Sequence, residues 1–177
     1  FTRAAGNKQG GMSASFLNNN RNKRSIAVDL RHPDGVAVVK RLAATCDVLV
    51  QNFRPGVVDR LGVGEDAIRA VAPNIIYVSI SGFGENGPWV GKPVYDPIVQ
   101  ALSGLASVQG GSDAERPRLV RTIVPDKVSA LVAAKQAVNT KRRQCFKGDI
   151  KISMKEAQVC FRVPPSKTVI YKVALLT

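Results

Sequence analysis

The chain is 177 residues long, with 26 Lys and Arg against 13 Asp and Glu, a formal charge of +13, 45% hydrophobic residues and 22% charged ones. That balance belongs to a globular chain and not to a disordered one, and no apolar run approaches the ~18 residues that mark a bilayer-spanning helix. The three cysteines, Cys46, Cys145 and Cys160, lack the paired spacing of a zinc site or a disulfide framework, so they read as reduced, buried thiols of a cytoplasmic protein.

In chain order, residues 1–24 are polar and rich in Gly and Asn, which is loop composition. The start at Phe1, with neither an initiator Met nor a basic-then-apolar leader, reads as a fragment. Residues 25–29 form a short β-rich run, and the turn residues 31–35 place a helix N-cap at Asp34. A helix follows over 35–45, with Val36, Val39, Leu42 and Ala43 at helical spacing. Residues 47–51 read as a buried strand broken at Asn52 to Gly56. A second helix covers 65–71, and another strand covers 75–80. Strand, helix, strand, helix, strand is the pattern of a parallel α/β sheet.

Beyond this unit, a helix begins at Tyr95-Asp96 and runs toward Gly104, a Gly-rich polar loop spans 109–118, and a further helix runs from Asp126 to about Val138. That last helix has Pro125 before it and Val128, Leu131, Val132 and Lys135 along one side. The segments 150–154, 156–161 and 168–176 are compatible with strand or helix, with Pro164-Pro165 separating the last two.

Positive charge is concentrated late: residues 1–134 carry a net +5 and residues 135–177 a net +8. Clustered Lys and Arg invite a nucleic-acid partner. No nucleic-acid-binding motif accompanies the charge, however, so that class is disfavoured.

Ligands bind parallel sheets at the carboxyl ends of the strands, which directs the search to the loops after Asp29, Gln51 and Ile80. His32, the only histidine, reads as a solvated turn residue, and no metal-ligand spacing is present. The run from Gly82 to Gly87 matches G-x-G-x-x-G, but Pro88-Trp89 stands where a phosphate-binding helix would open, which makes the match coincidental. Two carboxylates remain as candidates. Asp126 and Asp96 both open helices, where a carboxylate serves either as a cap or as a catalytic group. Arg31, Arg54 and Arg60, near strand ends, are either exposed loop arginines or partners for phosphate.

Taken together, residues 20–30, residues 47–56, residues 79–84 with Gly87-Pro88, and the stretch from Tyr95-Asp96 to Ser103-Gly104 resemble the family III CoA-transferases, the group of formyl-CoA transferase, carnitine CoA-transferase and the bile-acid-inducible F proteins. The spacing from Gly104 to Asp126 also fits. The resemblance covers roughly residues 1–140. It implies an α/β, Rossmann-like large domain with a parallel sheet, truncated at both ends, since the family's first strand and helix would precede Phe1 and its active-site glycine loop and smaller second domain have no counterpart. It also implies a domain of residues 1–140 followed by a divergent basic segment, 141–177.

The resemblance further implies that Asp126 is the nucleophile. Its carboxylate would attack an acyl-CoA thioester, and the resulting mixed anhydride would be recaptured by CoA as an aspartyl-CoA thioester. The positions matching the family's CoA-binding groups are Val28, Asp29, Leu30 and Arg31, then Asn52, Phe53 and Arg54, then Arg60, with Lys92 and Tyr95 in a further segment. The implied partners are an acyl-CoA, a carboxylic acid and a second copy of the chain as a homodimer, with coenzyme A as substrate, no metal and no membrane. A related branch, the α-methylacyl-CoA racemases, places a His before the acid that matches Asp96. Here that neighbour is Tyr95, which favours the transferase. A non-catalytic CoA-binding protein is the other alternative.

Overall fold

A computed structural model describes residues 8–143, 151–153 and 174–175. The expected loop at the start is structured from Lys8 onward. Strands β1 (Lys8–Gln9) and β2 (Met12–Ser13) form an antiparallel hairpin closed by Gly10-Gly11, both at positive φ, as a two-residue hairpin turn demands. Ser13 then caps helix α1 (Ala14–Asn19), its hydroxyl accepting from the Phe16 N–H at 3.1 Å.

Strand β3 (Ala27–Val28) leads into helix α2 (Pro33–Ala43). The cap is His32 and not Asp34. Its Nδ1 accepts from the Asp34 N–H at 3.3 Å, Pro33 occupies the first turn, and Asp34 lies within that turn as a favourable charge against the helix dipole.

The central sheet consists of β4 (Val48–Gln51), β5 (Ile76–Ser81) and β6 (Lys151–Ser153), all parallel in the order β4-β5-β6, with Val48 opposite Ile76 and Ser79 opposite Lys151. Between β4 and β5 lie α3 (Val57–Arg60), which the sequence reading did not anticipate, and α4 (Glu65–Arg69). β3 does not join this sheet. It pairs in parallel with β7 (Ala174–Leu175) in a separate ladder. The segment 150–154 therefore contributes a strand; of 168–176 only Ala174–Leu175 is described, and 156–161 lies outside the described residues.

Alternation along the strands gives the sheet two buried faces. On one, Leu49 and Tyr77 pack with Val39 and Ala43 of α2 and Ile68 of α4. On the other, Val48, Ile76 and Val78 meet Val132 and Ala133 of helix α7 (Val124–Arg143). Helix α7 starts two residues earlier than expected, placing Pro125 inside its first turn, where a missing N–H costs nothing. Its packed side carries Val128, Val132, Ala133 and Ala137, while Leu131 is 41% exposed. Between β5 and α7 run α5 (Asp96–Leu102) and α6 (Leu105–Gly110), separated at Gly104, whose φ of +78° turns the chain. The beginning of the expected 109–118 loop is thus helical.

Candidate active site

β4 and β5 are parallel, so their carboxyl ends point the same way and deliver Asn52 and Gly82 to one edge. A side-chain amide ties the two ends together: Gln51 Nε2 donates to Ser79 Oγ at 2.7 Å, and Gln51 Oε1 accepts from the Phe53 N–H at 2.8 Å. The loop bearing Asn52, Phe53 and Arg54 is thereby fixed over the sheet.

A cavity of about 350 Å³ opens at this edge. Asn52, Phe53, Arg54, Lys92, Tyr95 and Asp126 all line it. Its floor includes Gly82, where a Cβ would run into the Val94 side chain, so the wall of residues 90–95 lies directly on the end of β5. Lys92 is held at the rim by aromatic stacking: its Nζ sits 5.0 Å from the Trp89 ring centroid, and Trp89 packs edge-on against Phe83 with centroids 5.3 Å apart.

Asp126 lies in the first turn of α7, and its backbone N–H donates to Asp96 Oδ2 at 3.3 Å. The cap on this helix is therefore Asp96, reaching over from α5, and not the Asp126 side chain. Asp96 is 7% exposed, and its other oxygen, Oδ1, accepts from Gln100 Nε2 at 2.6 Å. Among the described residues the Asp126 carboxylate has no hydrogen-bond or ion-pair partner of its own. Partial burial raises its pKa above the ordinary Asp value, and the negative charge of Asp96 raises it further.

An acid whose folded-state pKa is raised binds its proton more tightly in the folded than in the unfolded chain, so stability falls as pH rises through the interval between the two values, and at neutral pH the ionised group is a net cost. Asp126→Asn removes that cost. Its melting temperature at pH 7 should exceed that of the wild type, and the gap should close as pH falls toward the unfolded-state value of about 3.9; a lower Tm for the variant at pH 7 would contradict the electrostatic assignment.

The remaining residues implied by the resemblance lie elsewhere. Val28 ends β3, and Leu30, 7% exposed, lines a neighbouring apolar cavity of about 230 Å³ that shares Asn52 and Phe53 with the first. Arg31 is engaged: its Nε and Nη2 bind both Asp29 oxygens at 3.0 Å, and its side-chain and backbone hydrogen bonds bring the Asp29 carboxyl down to about 2. Arg60 is exposed in the last turn of α3. Cys46 is half-buried, while Cys145 and Cys160 lie outside the described residues. Among the described residues no group of three or more His, Cys, Asp or Glu could hold a metal ion, and no helix is long and apolar enough to cross a membrane. The sequence reading missed Gln100, Gln51 and Gly82; only Gln100, spaced four residues from Asp96 on one helix, carried a local signal.

Comparison with known proteins gives a consistent family. The chain is 46% identical to the mouse (Mus musculus) succinyl-CoA:glutarate CoA-transferase over 112 residues, 62% of this chain and 26% of that protein. It is 40% identical to the acetyl-CoA:oxalate CoA-transferase of Acetobacter aceti over 125 residues, 71% of this chain and 32% of that one. The chain thus spans between a quarter and a third of the length of these two relatives. Among solved structures, a CAIB/BAIF family protein from Brucella suis superposes with a TM-score of 0.73 at 31% identity, over 86% of this chain and 42% of that one. The α/β fold with its parallel sheet is the fold of that relative, and the model of CoA-transferase family III matches residues 1–163. The chain belongs to CoA-transferase family III.

Proposed function

We propose that this chain carries the CoA-binding and acyl-accepting part of a CoA-transferase, which moves CoA from an acyl-CoA to a free carboxylic acid with Asp126 as the covalent acceptor. The observation that carries the proposal is the Asp126 carboxylate itself: it lines the cavity, is partly desolvated and accepts no hydrogen bond among the described residues. A carboxylate in that condition keeps its electron pairs available and is a better nucleophile than one already paired.

In the first step one Asp126 oxygen adds to the thioester carbonyl, and the C–S bond breaks to release CoA thiolate and leave a mixed anhydride. The thiolate then attacks the aspartyl carbonyl, forming aspartyl-CoA and freeing the original acid as its carboxylate. The acceptor acid repeats the two attacks in reverse order, which regenerates the Asp126 carboxylate and releases the new acyl-CoA. Negative charge develops on the carbonyl oxygens beside the N-terminus of α7, where the helix dipole favours it.

CoA is a long polyanion ending in an adenine. Arg54 and Lys92 supply positive charge at the cavity, and Phe53 and Tyr95 supply flat apolar surface. In this proposal Val28, Asp29, Leu30, Arg31 and Arg60 serve the more distant parts of the same ligand, with the cavity beside Leu30 joined to the first through Asn52 and Phe53. Residues 1–140 hold every one of these groups, and 141–177 is the divergent basic segment. Assembly as a homodimer is part of the proposal, supported by exposed apolar side chains such as Leu102 and Val108 on α5 and α6.

The names of the relatives suggest the assay. With succinyl-CoA and isotopically labelled glutarate, labelled glutaryl-CoA should form, and its rate should fall on the acid side with an apparent pKa above the usual Asp value because the nucleophile must be ionised. Hydrolysis to free CoA with no labelled thioester for any acid tried would overturn the proposal.

A further inference from the structure

We infer that Gln100 is a positioning residue for Asp126, acting through Asp96. This rests on the assignment of Asp126 as nucleophile. Gln100 is 2% exposed, so every polar atom of its amide must find a partner inside the protein. Its Oε1 accepts from the Val120 N–H at 2.8 Å. Its Nε2 donates to Asp96 Oδ1 at 2.6 Å and also lies 3.4 Å from the carbonyl oxygens of Val120 and Thr122. Only this orientation of the amide satisfies the contacts, because the Val120 N–H needs an acceptor while the carboxylate and both carbonyls need donors.

The geometry explains why one buried amide matters to a carboxylate it does not touch. Residues 120–122 lead directly into the first turn of α7, so Gln100 anchors the segment entering that turn. Through Asp96, whose Oδ2 receives the Asp126 N–H, it also anchors the turn itself. The four residues from Ile123 to Asp126 are thus held from both ends by one side chain. Asp96 is a buried carboxylate, and its donors are the Gln100 amide and the Asp126 N–H; losing the first leaves it under-solvated and free to leave the second. An attacking oxygen must sit within a few tenths of an ångström of its productive position, and a misplacement near 1 Å costs on the order of 10²-fold in rate.

Gln100→Glu isolates the effect. The change is isosteric and keeps an acceptor for the Val120 N–H, but it replaces the donor facing Asp96 with a second carboxyl oxygen. On the full chain, the rate of Asp126 hydroxamate formation from succinyl-CoA and hydroxylamine should fall at least about tenfold at saturation, while the succinyl-CoA concentration giving half-maximal rate should change less than about twofold. Amide hydrogen exchange at Asp126, followed by NMR, should accelerate in the same variant. The double change Gln100→Glu with Asp96→Asn exchanges donor for acceptor across the same contact and should restore protection of the Asp126 amide.

A purely structural glue would instead lower the melting temperature while leaving the saturated rate and the Asp126 exchange unchanged. Either unchanged quantity in the folded variant overturns the inference, as does a double variant whose Asp126 amide exchanges as fast as in the single one. A wild-type protein that forms no hydroxamate at Asp126 defeats the nucleophile assignment instead. The exchange measurement still decides the positioning role in that case, because it needs no turnover.

Discussion

Asp126→Ala should abolish CoA transfer, with a loss of about 10³-fold or more in the saturated rate, because no other carboxylate can take its place in the covalent step. The nearest, Asp96, is buried, and both of its oxygens are committed to Gln100 and to the backbone of Asp126. CoA affinity should change by less than about threefold, since Asn52, Phe53, Arg54, Lys92 and Tyr95 line the same cavity and remain in place. Steady-state transfer and equilibrium titration with CoA measure the two quantities separately. Asp126→Asn should be nearly as inactive while melting at a higher temperature at neutral pH. Function and stability therefore pull in opposite directions at this residue, as expected where an active group is kept partly desolvated beside a like charge.

The second large effect is steric. A Cβ at Gly82 would overlap the Val94 side chain, and neither is free to withdraw: Gly82 directly follows β5, and Val94 belongs to the wall that carries Lys92 and Tyr95. Gly82→Ala should push that wall outward, costing about 1–3 kcal/mol in stability as overpacking does. It should also raise the KM for acyl-CoA by about tenfold or more, through displacement of groups that contact the ligand. Pairing it with Val94→Ala removes the obstructing methyl groups, and the double variant should recover most of the loss. A Gly82→Ala protein with wild-type KM, or a double variant no better than the single one, would contradict the close approach as the cause.

How far the chain discloses its own structure depends on whether the signal is local. The strands β4 and β5 are legible because the runs at 47–51 and 75–80 are apolar on both faces, as strands sandwiched between helices must be. Helix α2 is legible from its spacing, but its cap is not, since His32 does work usually assigned to Asp or Ser. The hairpin and α1 escape notice because their strands are two residues long and their composition is polar, leaving only Gly10-Gly11 and the Ser13 cap as signals. The early start of α7 is obscured by Pro125, which reads equally as a residue before a helix or within its first turn.

The site divides in the same way. Asn52 to Arg54 follow from a general rule about parallel strand ends, whereas Lys92 and Tyr95 were indicated only by family resemblance. The Asp96–Asp126 contact joins residues 30 positions apart, and no periodicity announces it. Residues 28–31 line up with the family's CoA-binding positions yet sit off the Asp126 cavity, because β3 pairs with β7 instead of joining β4.

The central claim, covalent capture at Asp126, is tested most directly by intact-protein and peptide mass spectrometry after incubation with succinyl-CoA and hydroxylamine. Hydroxylamine attacks the activated aspartyl carbonyl, displaces CoA thiol or the acid, and leaves a stable hydroxamate. A hydroxamate on the peptide containing Asp126 in the wild type, and none in Asp126→Ala, is the predicted result. A hydroxamate on another carboxylate, or transfer of CoA to a free acid by Asp126→Ala at the wild-type rate, would contradict it.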